Sequence, residues 1–192
     1  MNIKEIYNKL KNSGQLSSLD YAATQGEVSR AIKKFIQDKK LIIHGAKAQN
    51  AQSRFPLTRE SRDYDVFTRT NPKLSAEQLD KLLDRLRGGN YHYTKAGEHK
   101  GTHKVIDVGA DLKRGTDDDF TLADFTRLTR KLKTIKQNNT TYSNLDELEK
   151  AKLRILKDKQ FAYRHKKDKA DLQIIQAIKR RSSWIWIKKV KG

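Results

Sequence analysis

Two aspartates, Asp63 and Asp65, bracket a tyrosine in the run Ser61-Arg62-Asp63-Tyr64-Asp65-Val66-Phe67. On a strand, residues i and i+2 point to one face. The two carboxylates then project together, and like charges side by side repel unless a cation lies between them. Two Mg²⁺ ions about 3.5–4 Å apart suit such a pair, and they stabilise both the attacking and the leaving oxygen in phosphoryl transfer. Upstream, Leu41-Ile42-Ile43-His44 reads as a buried strand that runs into Gly45-Ala46 and then into helix-forming residues. A glycine turn opening a helix lets backbone N–H groups approach a triphosphate. Lys47 adds a positive charge beside it. An Asp-x-Asp pattern alone is common on solvated strand edges; the order strand, glycine turn, helix, Asp-x-Asp strand is the informative feature.

The elements that must position these residues follow from apolar periodicity. Ile3, Ile6, Tyr7 and Leu10 predict a helix closed by Gly14, and Val28, Ile32, Phe35 and Ile36 predict another over 24–39. Arg62–Thr68 reads as a strand. Ser75, with Gln78 in the capping-box position, predicts a helix start with Leu79, Leu82, Leu83 and Leu86 as its buried stripe and Gly88-Gly89 as its stop. Tyr91–Thr94, Thr102–Val108 and Thr121–Thr126 are rich in β-formers, with Gly109–Asp119 as a polar hairpin loop between the last two. Ser143 predicts the start of a helix carrying Leu145, Leu148, Ile155 and Leu156, and Leu172, Ile175 and Ile178 mark a last helix over about 161–181. The expected class is α/β (α+β), a small mixed β-sheet flanked by helices.

Composition narrows the chemistry. The 192 residues include 42 basic and 23 acidic side chains, a net charge of +19, and no cysteine. Without cysteine there is no disulfide framework, thiol nucleophile or thiolate metal site. Residues 127–192 carry +14 of the charge and residues 1–126 only +5. Such a field favours a polyanionic partner: nucleic acid, a nucleotide or an anionic membrane. Arg127, Arg130, Lys131 and Lys133 are the candidate phosphate contacts. No apolar run is long enough to span a membrane. The opening MNIKEIYNKLKNSG has no apolar signal core, so the expected location is intracellular, in the cytoplasm. The ending Trp184-Ile185-Trp186-Ile187 reads as an edge strand packed on the body, an RNA-contacting arm or an interfacial anchor, with packing on the body preferred. His99 and His103 are four apart, but Gly101 between them argues against a helical zinc pair. Asp117-Asp118-Asp119 reads as a solvated turn.

The stretches IIHGAKAQNAQ and TRESRDYDVF resemble the signature of the DNA polymerase β-type nucleotidyltransferase superfamily. That superfamily includes CCA-adding enzymes, poly(A) polymerases, antibiotic adenylyltransferases and abortive-infection toxins. ADFTR and FAYRHKKDKADL are similar to segments of small viral or mobile-element members, and the resemblance spans roughly residues 40–175. It implies a polymerase-β-like fold, two Mg²⁺ or Mn²⁺ ions, an NTP substrate, and transfer of NMP to an acceptor hydroxyl at an RNA 3′ end. It implies metal ligation by Asp63 and Asp65 and by a third carboxylate on a later strand. Asp124 is preferred there, Asp107 is the runner-up, and Asp111 also competes. Nucleotide contact falls to Gly45, Ala46 and Lys47. The resemblance also places a segment like Tyr163–Asp168 on a C-terminal helix near the nucleotide. The family's second turn residue is glycine or serine, whereas this chain has Ala46. A degenerate, non-catalytic nucleic-acid-binding protein and a tRNA-modifying toxin therefore stand as alternatives. Residues 1–130 are read as the catalytic domain and 131–192 as a basic helical region and tail on the same unit.

Overall fold

In the computed structural model, residues 17–53, 61, 63–87, 89, 91–109 and 111–190 are described, with side chains from 26 to 180. The helix expected around Ile3–Leu10, and Arg62, lie outside the described residues. Helix α1 (Ser17–Asp38) leads to β1 (Ile42–Ile43), α2 (Gly45–Ala51), β2 (Tyr64–Thr68) and α3 (Pro72–Arg87). Strands β3 (His92–Ala96), β4 (Thr102–Asp107), β5 (Phe120–Arg127), β6 (Thr134–Gln137) and β7 (Thr140–Ser143) follow. Helix α4 (Leu145–Lys157), a 3₁₀ turn (Lys159–Arg164) and α5 (His165–Val190) complete the order. The seven strands form one mixed sheet, β3-β4-β5-β2-β1-β7-β6. This is the expected α/β class.

Alternation along the central strands decides what faces the core. Tyr64, Val66 and Thr68 are buried on one face of β2, while Asp65 and Phe67 take the other. On β5, Phe125 is fully buried and meets the Phe35 ring edge-on at 6.3 Å. Val28, Ile32, Phe35 and Ile36 from α1, and Ala76, Leu79 and Leu83 from α3, belong to the same apolar cluster. Asp65 and Asp124 thus sit one residue out of phase with the core positions, on the opposite face.

Several boundaries differ from the sequence reading. Helix α3 starts at Pro72, with Asn71 Oδ1 accepting from Lys73 N–H at 3.0 Å. Proline suits the first helical position, where its missing N–H is not needed. Ser75 is instead buried within the helix, its hydroxyl 3.2 Å from those of Thr68 and Thr70. Leu82 and Leu86 are exposed, so the buried stripe is Ser75, Ala76, Leu79 and Leu83. Ser143 ends β7, and Asn144 caps α4 by accepting from Glu147 N–H at 3.0 Å. The β6–β7 hairpin was not foreseen. Its turn is Asn138-Asn139, both at positive φ (46° and 60°), which suits the tight turns that join strands. The segment containing Trp184–Ile187 continues α5 rather than forming a strand, since a helix already nucleated upstream adds one hydrogen bond per residue. The contacts of those side chains lie outside the described residues.

A lysine takes the left-handed conformation at the end of α1. Lys40 follows α1 at φ 53°, with Leu41 N–H bonded to Ile36 carbonyl oxygen at 2.9 Å. Glycine usually takes this helix-ending conformation because an L side chain costs about 1 kcal/mol there. Lys40→Gly is expected to raise stability by about 1 kcal/mol, read from the urea midpoint.

Candidate functional site

Strands β2 and β5 are parallel neighbours, and Asp65 lies directly opposite Asp124. Asp63 sits just before β2, hydrogen-bonded by the Ser61 hydroxyl. All three carboxylates line one cavity of about 500 Å³, together with His44, Gly45 and Ala46. The cavity is closed on its other side by α4, the 3₁₀ turn and α5, which bring Lys152, Arg154, Arg164 and Lys167 to its wall. The three carboxylates therefore face a wall with four cations and Asp171, and Lys104 lines the cavity beside Asp124.

Crowding marks the carboxylate side electrostatically. Burial, then the neighbouring Asp63 and Asp124 charges, push the Asp65 pKa up to about 6. Burial is also the main cause holding Asp124 above its ordinary range. Asp124 Oδ1 is buried with no hydrogen-bond partner, and an acceptor left so is costly unless a cation or donor meets it. Among the described residues no group of three or more His, Asp or Glu side chains is gathered as a ready-made metal cage. The donor set is nevertheless what hard divalent cations take: carboxylate oxygens on one face, one of them unsatisfied.

Gly45 has to be glycine. It adopts φ 61°, and a Cβ there would collide with Asp65 Oδ2 and lie 2.9 Å from its Cγ. His44 N–H donates to the Asp65 carbonyl oxygen at 2.8 Å, which ties the turn to β2. Gly45→Ala is expected to destabilise by about 2 kcal/mol from backbone strain and to push Asp65 out of place. Thermal unfolding and nucleotide affinity measured on the same sample would check both effects.

The remaining candidates separate cleanly. Asp107 is fully buried and paired with Arg87 at 2.9 Å, beside the buried His92; it does not line the cavity. Asp111 lies on the Gly109–Asp119 loop, where it accepts from Lys113 N–H at 2.8 Å. Asp124 alone of the three stands with Asp63 and Asp65. Lys47 turns away from the cavity: its ammonium donates to Ser61 carbonyl oxygen at 2.8 Å and lies 4.2 Å from the Tyr64 ring centre. The Gly45-Ala46 turn has no lysine from α2 beside it. His44 lines the cavity, with Nδ1 3.0 Å from Ser143 Oγ and its ring against Phe67. Burial, then the Lys152 charge, lower its pKa to about 4, so it is neutral at pH 7.

The basic run after β5 points elsewhere. Arg127 pairs opposite Thr68, at the end of the strands away from Asp63. Arg130 is bound to Glu147, and none of Arg127, Arg130, Lys131 and Lys133 lines the carboxylate cavity. The cations that do were foreseen only in part, through the Arg164–Asp168 segment. Asp168 is fully buried and holds Lys152 at 2.6 Å and Arg164 at 2.8 Å; Asp171 holds Lys152 at 2.7 Å. Arg164 and Asp168, four residues apart, form an ion pair in which Asp168 is fully buried and Arg164 partly so. Arg154 and Lys167 have no ion-pair partner among the described residues. His99 packs edge-on against Phe161 at 5.1 Å, and His103 lies on β4, so the two do not form a helical pair.

No family model matches the sequence, and no curated protein does. Solved structures do match in shape. The Megavirus polyadenylate synthase superposes over 90% of this chain and 35% of its own, with a TM-score of 0.61 and 18% identity. An antigenic nucleotidyltransferase-like protein from Paracoccidioides brasiliensis covers 79% of this chain and 74% of its own, with a TM-score of 0.44 and 13% identity. The chain shares the fold of the matched part of the Megavirus protein, and it spans about a third of that protein's length. Among the described residues no helix is long and apolar enough to cross a membrane.

Proposed function

We propose that the chain is a metal-dependent nucleotidyltransferase that moves NMP from an NTP to an acceptor hydroxyl, at an RNA 3′ end. The observation that carries this is the single cavity with Asp63, Asp65 and Asp124 on one wall and Lys152, Arg154, Arg164 and Lys167 on the other. Asp63, Asp65 and Asp124 would hold two Mg²⁺ or Mn²⁺ ions, which supply Lewis-acid stabilisation of the attacking and leaving oxygens. Arg154 and Lys167, with Lys152 and Arg164 behind them, take the triphosphate and stabilise charge as it passes to the leaving group. The Gly45-Ala46 turn lets the nucleotide approach the backbone without a side chain in the way. Asp124, whose pKa burial raises, accepts the proton of the acceptor hydroxyl. The hydroxyl oxygen then bonds to the α-phosphorus, the bond to the bridging oxygen breaks, and pyrophosphate leaves. Residues 1–130 supply the carboxylates, and 131–192 supply the cationic wall, so both parts are needed for one site.

The test is incubation of the protein with each labelled NTP, Mg²⁺ or Mn²⁺, and short RNA or tRNA, beside the Asp63→Ala/Asp65→Ala double variant. The expected result is label on RNA with the parent alone, abolished by EDTA and restored by excess Mg²⁺. Ala46 favours a second reading, a non-catalytic binding protein. Absence of transfer with every nucleotide, together with salt-sensitive RNA binding, would establish that one instead.

A further inference from the structure

We propose that a second cavity, at the other end of the same strands, holds the phosphate backbone of a single-stranded RNA. The inference rests on the transferase reading only for what lies at the strand's 3′ end. This cavity, of about 650 Å³, is lined by Lys39, Lys40, Arg69 and Lys131, and by no aspartate or glutamate. The four cations come from three distant parts of the chain and converge only in the fold. None has an ion-pair partner among the described residues, in contrast to Lys152, Arg164 and Lys179. Four like charges around one concavity repel each other, and a polyanion relieves that repulsion.

Lys40 strengthens the case. It occupies the left-handed helix-ending position where glycine is the favoured residue, so its side chain is kept at a conformational cost. Hydroxyls of Thr68, Thr70 and Ser75, mutually bonded at 2.8–3.2 Å, line the same cavity and suit phosphate or ribose oxygens. Phe67 joins the two cavities. It lies two residues after Asp65, on the same face, and lines both. From Asp65 to Arg69 the strand advances about 13 Å, so a chain with its end at the carboxylates runs along β2 to the cations. Half-buried Phe67 and Leu74, 49% exposed, offer apolar surface to a base. A concave site of this size admits a single strand; a planar bilayer does not enter it.

The test uses the full chain and a fluorescein-labelled 15-nucleotide RNA, with anisotropy read from 50 to 300 mM salt. The variant is Lys39→Ala/Lys40→Gly/Arg69→Ala/Lys131→Ala. Its RNA affinity should fall at least tenfold at 100 mM salt, and its log–log salt slope should drop by about 3, at about 0.7 per lost phosphate contact. A control with the same charge change, Lys81→Ala/Arg85→Ala/Lys95→Ala/Lys136→Ala, should lose less than threefold. Lys40→Gly alone should weaken RNA binding while raising the melting temperature, a combination that damage to the fold does not produce. Binding of a fluorescent ATP analogue should be unchanged in the four-residue variant. An unchanged RNA affinity and slope would overturn the proposal. So would an equal loss in the control, or loss of binding to phosphatidylserine vesicles with RNA binding intact. Failure of the transferase reading would show separately, as no label transfer from parent protein whose RNA binding still depends on these four residues.

Discussion

Asp65→Asn protein is expected to transfer nucleotide at least about 10³-fold more slowly than the parent while melting no lower. The loss follows from the role of the carboxylate: removing a ligand that holds the ions costs several kcal/mol of transition-state stabilisation, and about 1.4 kcal/mol is tenfold in rate. The stability side follows from crowding. Asp65 is half-buried opposite Asp124 and beside Asp63, and desolvation, then those two charges, push its pKa up to about 6. At pH 7 its charge is present and disfavoured in the metal-free fold. Asparagine keeps the shape, removes the charge and leaves Asp63 and Asp124 with less repulsion. A gain on the order of 1 kcal/mol is expected in EDTA, read as a higher urea midpoint. Mg²⁺ should raise the melting temperature of the parent and not of the variant. A variant that lost transfer and stability together would assign Asp65 a structural role instead.

Asp168→Asn is expected to be the most destabilising conservative change in the C-terminal region. Asp168 is fully buried, with Lys152 at 2.6 Å and Arg164 at 2.8 Å on its two oxygens. Breaking such a pair strands buried positive charge and costs about 3 kcal/mol. In a chain of this size that lowers the melting temperature by about 6–12 °C. Burial works against the Asp168 carboxylate, but hydrogen bonds from Lys152 and Arg164 outweigh it and hold its pKa below the ordinary carboxylate range. Its folded pKa is lower than its unfolded one, so its contribution is full above the unfolded value of about 4 and lost as pH falls through the folded value. The difference in urea stability between parent and variant should therefore be largest at pH 7 and shrink towards pH 3. Lys152 and Arg164 form part of the cavity wall, so the variant should also bind the fluorescent ATP analogue more weakly.

The two cavities divide the basic charge differently from the simple count. The +14 of residues 127–192 suggests a continuous basic face. In the fold, Lys152, Arg164 and Lys179 are held by carboxylates of α4 and α5, and Arg130 by Glu147. Among the cations with no ion pair in the described residues, Arg154 and Lys167 line the carboxylate cavity and Lys39, Lys40, Arg69 and Lys131 line the other. Local spacing identifies pairs such as Arg164 and Asp168 but does not say that Asp168 is buried.

Much of the candidate site was legible because it is local. Asp65 lies on β2 and Asp63 just before it, two residues apart, and both reach the same cavity, while Gly45 stands where a turn must leave a strand. Asp124 was legible as one of three candidates, and the parallel register of β2 and β5 separated it from Asp107 and Asp111. Lys47 was misplaced because helix phase decides which way its side chain leaves α2, and the Tyr64 ring and Ser61 carbonyl oxygen draw it away. The Asn138-Asn139 turn carried a hairpin signal in plain view. The polar strands beside it, with no apolar alternation, hid it.

By itself the sequence determined the class of fold, the paired carboxylates, the glycine turn and a net charge of +19. Each rests on periodicity, local geometry or summed charge, which are properties of neighbours along the chain. Only the tertiary structure decided which third carboxylate joins the pair, which cations face it and where Lys39, Lys40, Arg69 and Lys131 meet. Those depend on strand register and helix packing, which bring together residues up to about a hundred positions apart and are set by burial of the whole core rather than by any one segment.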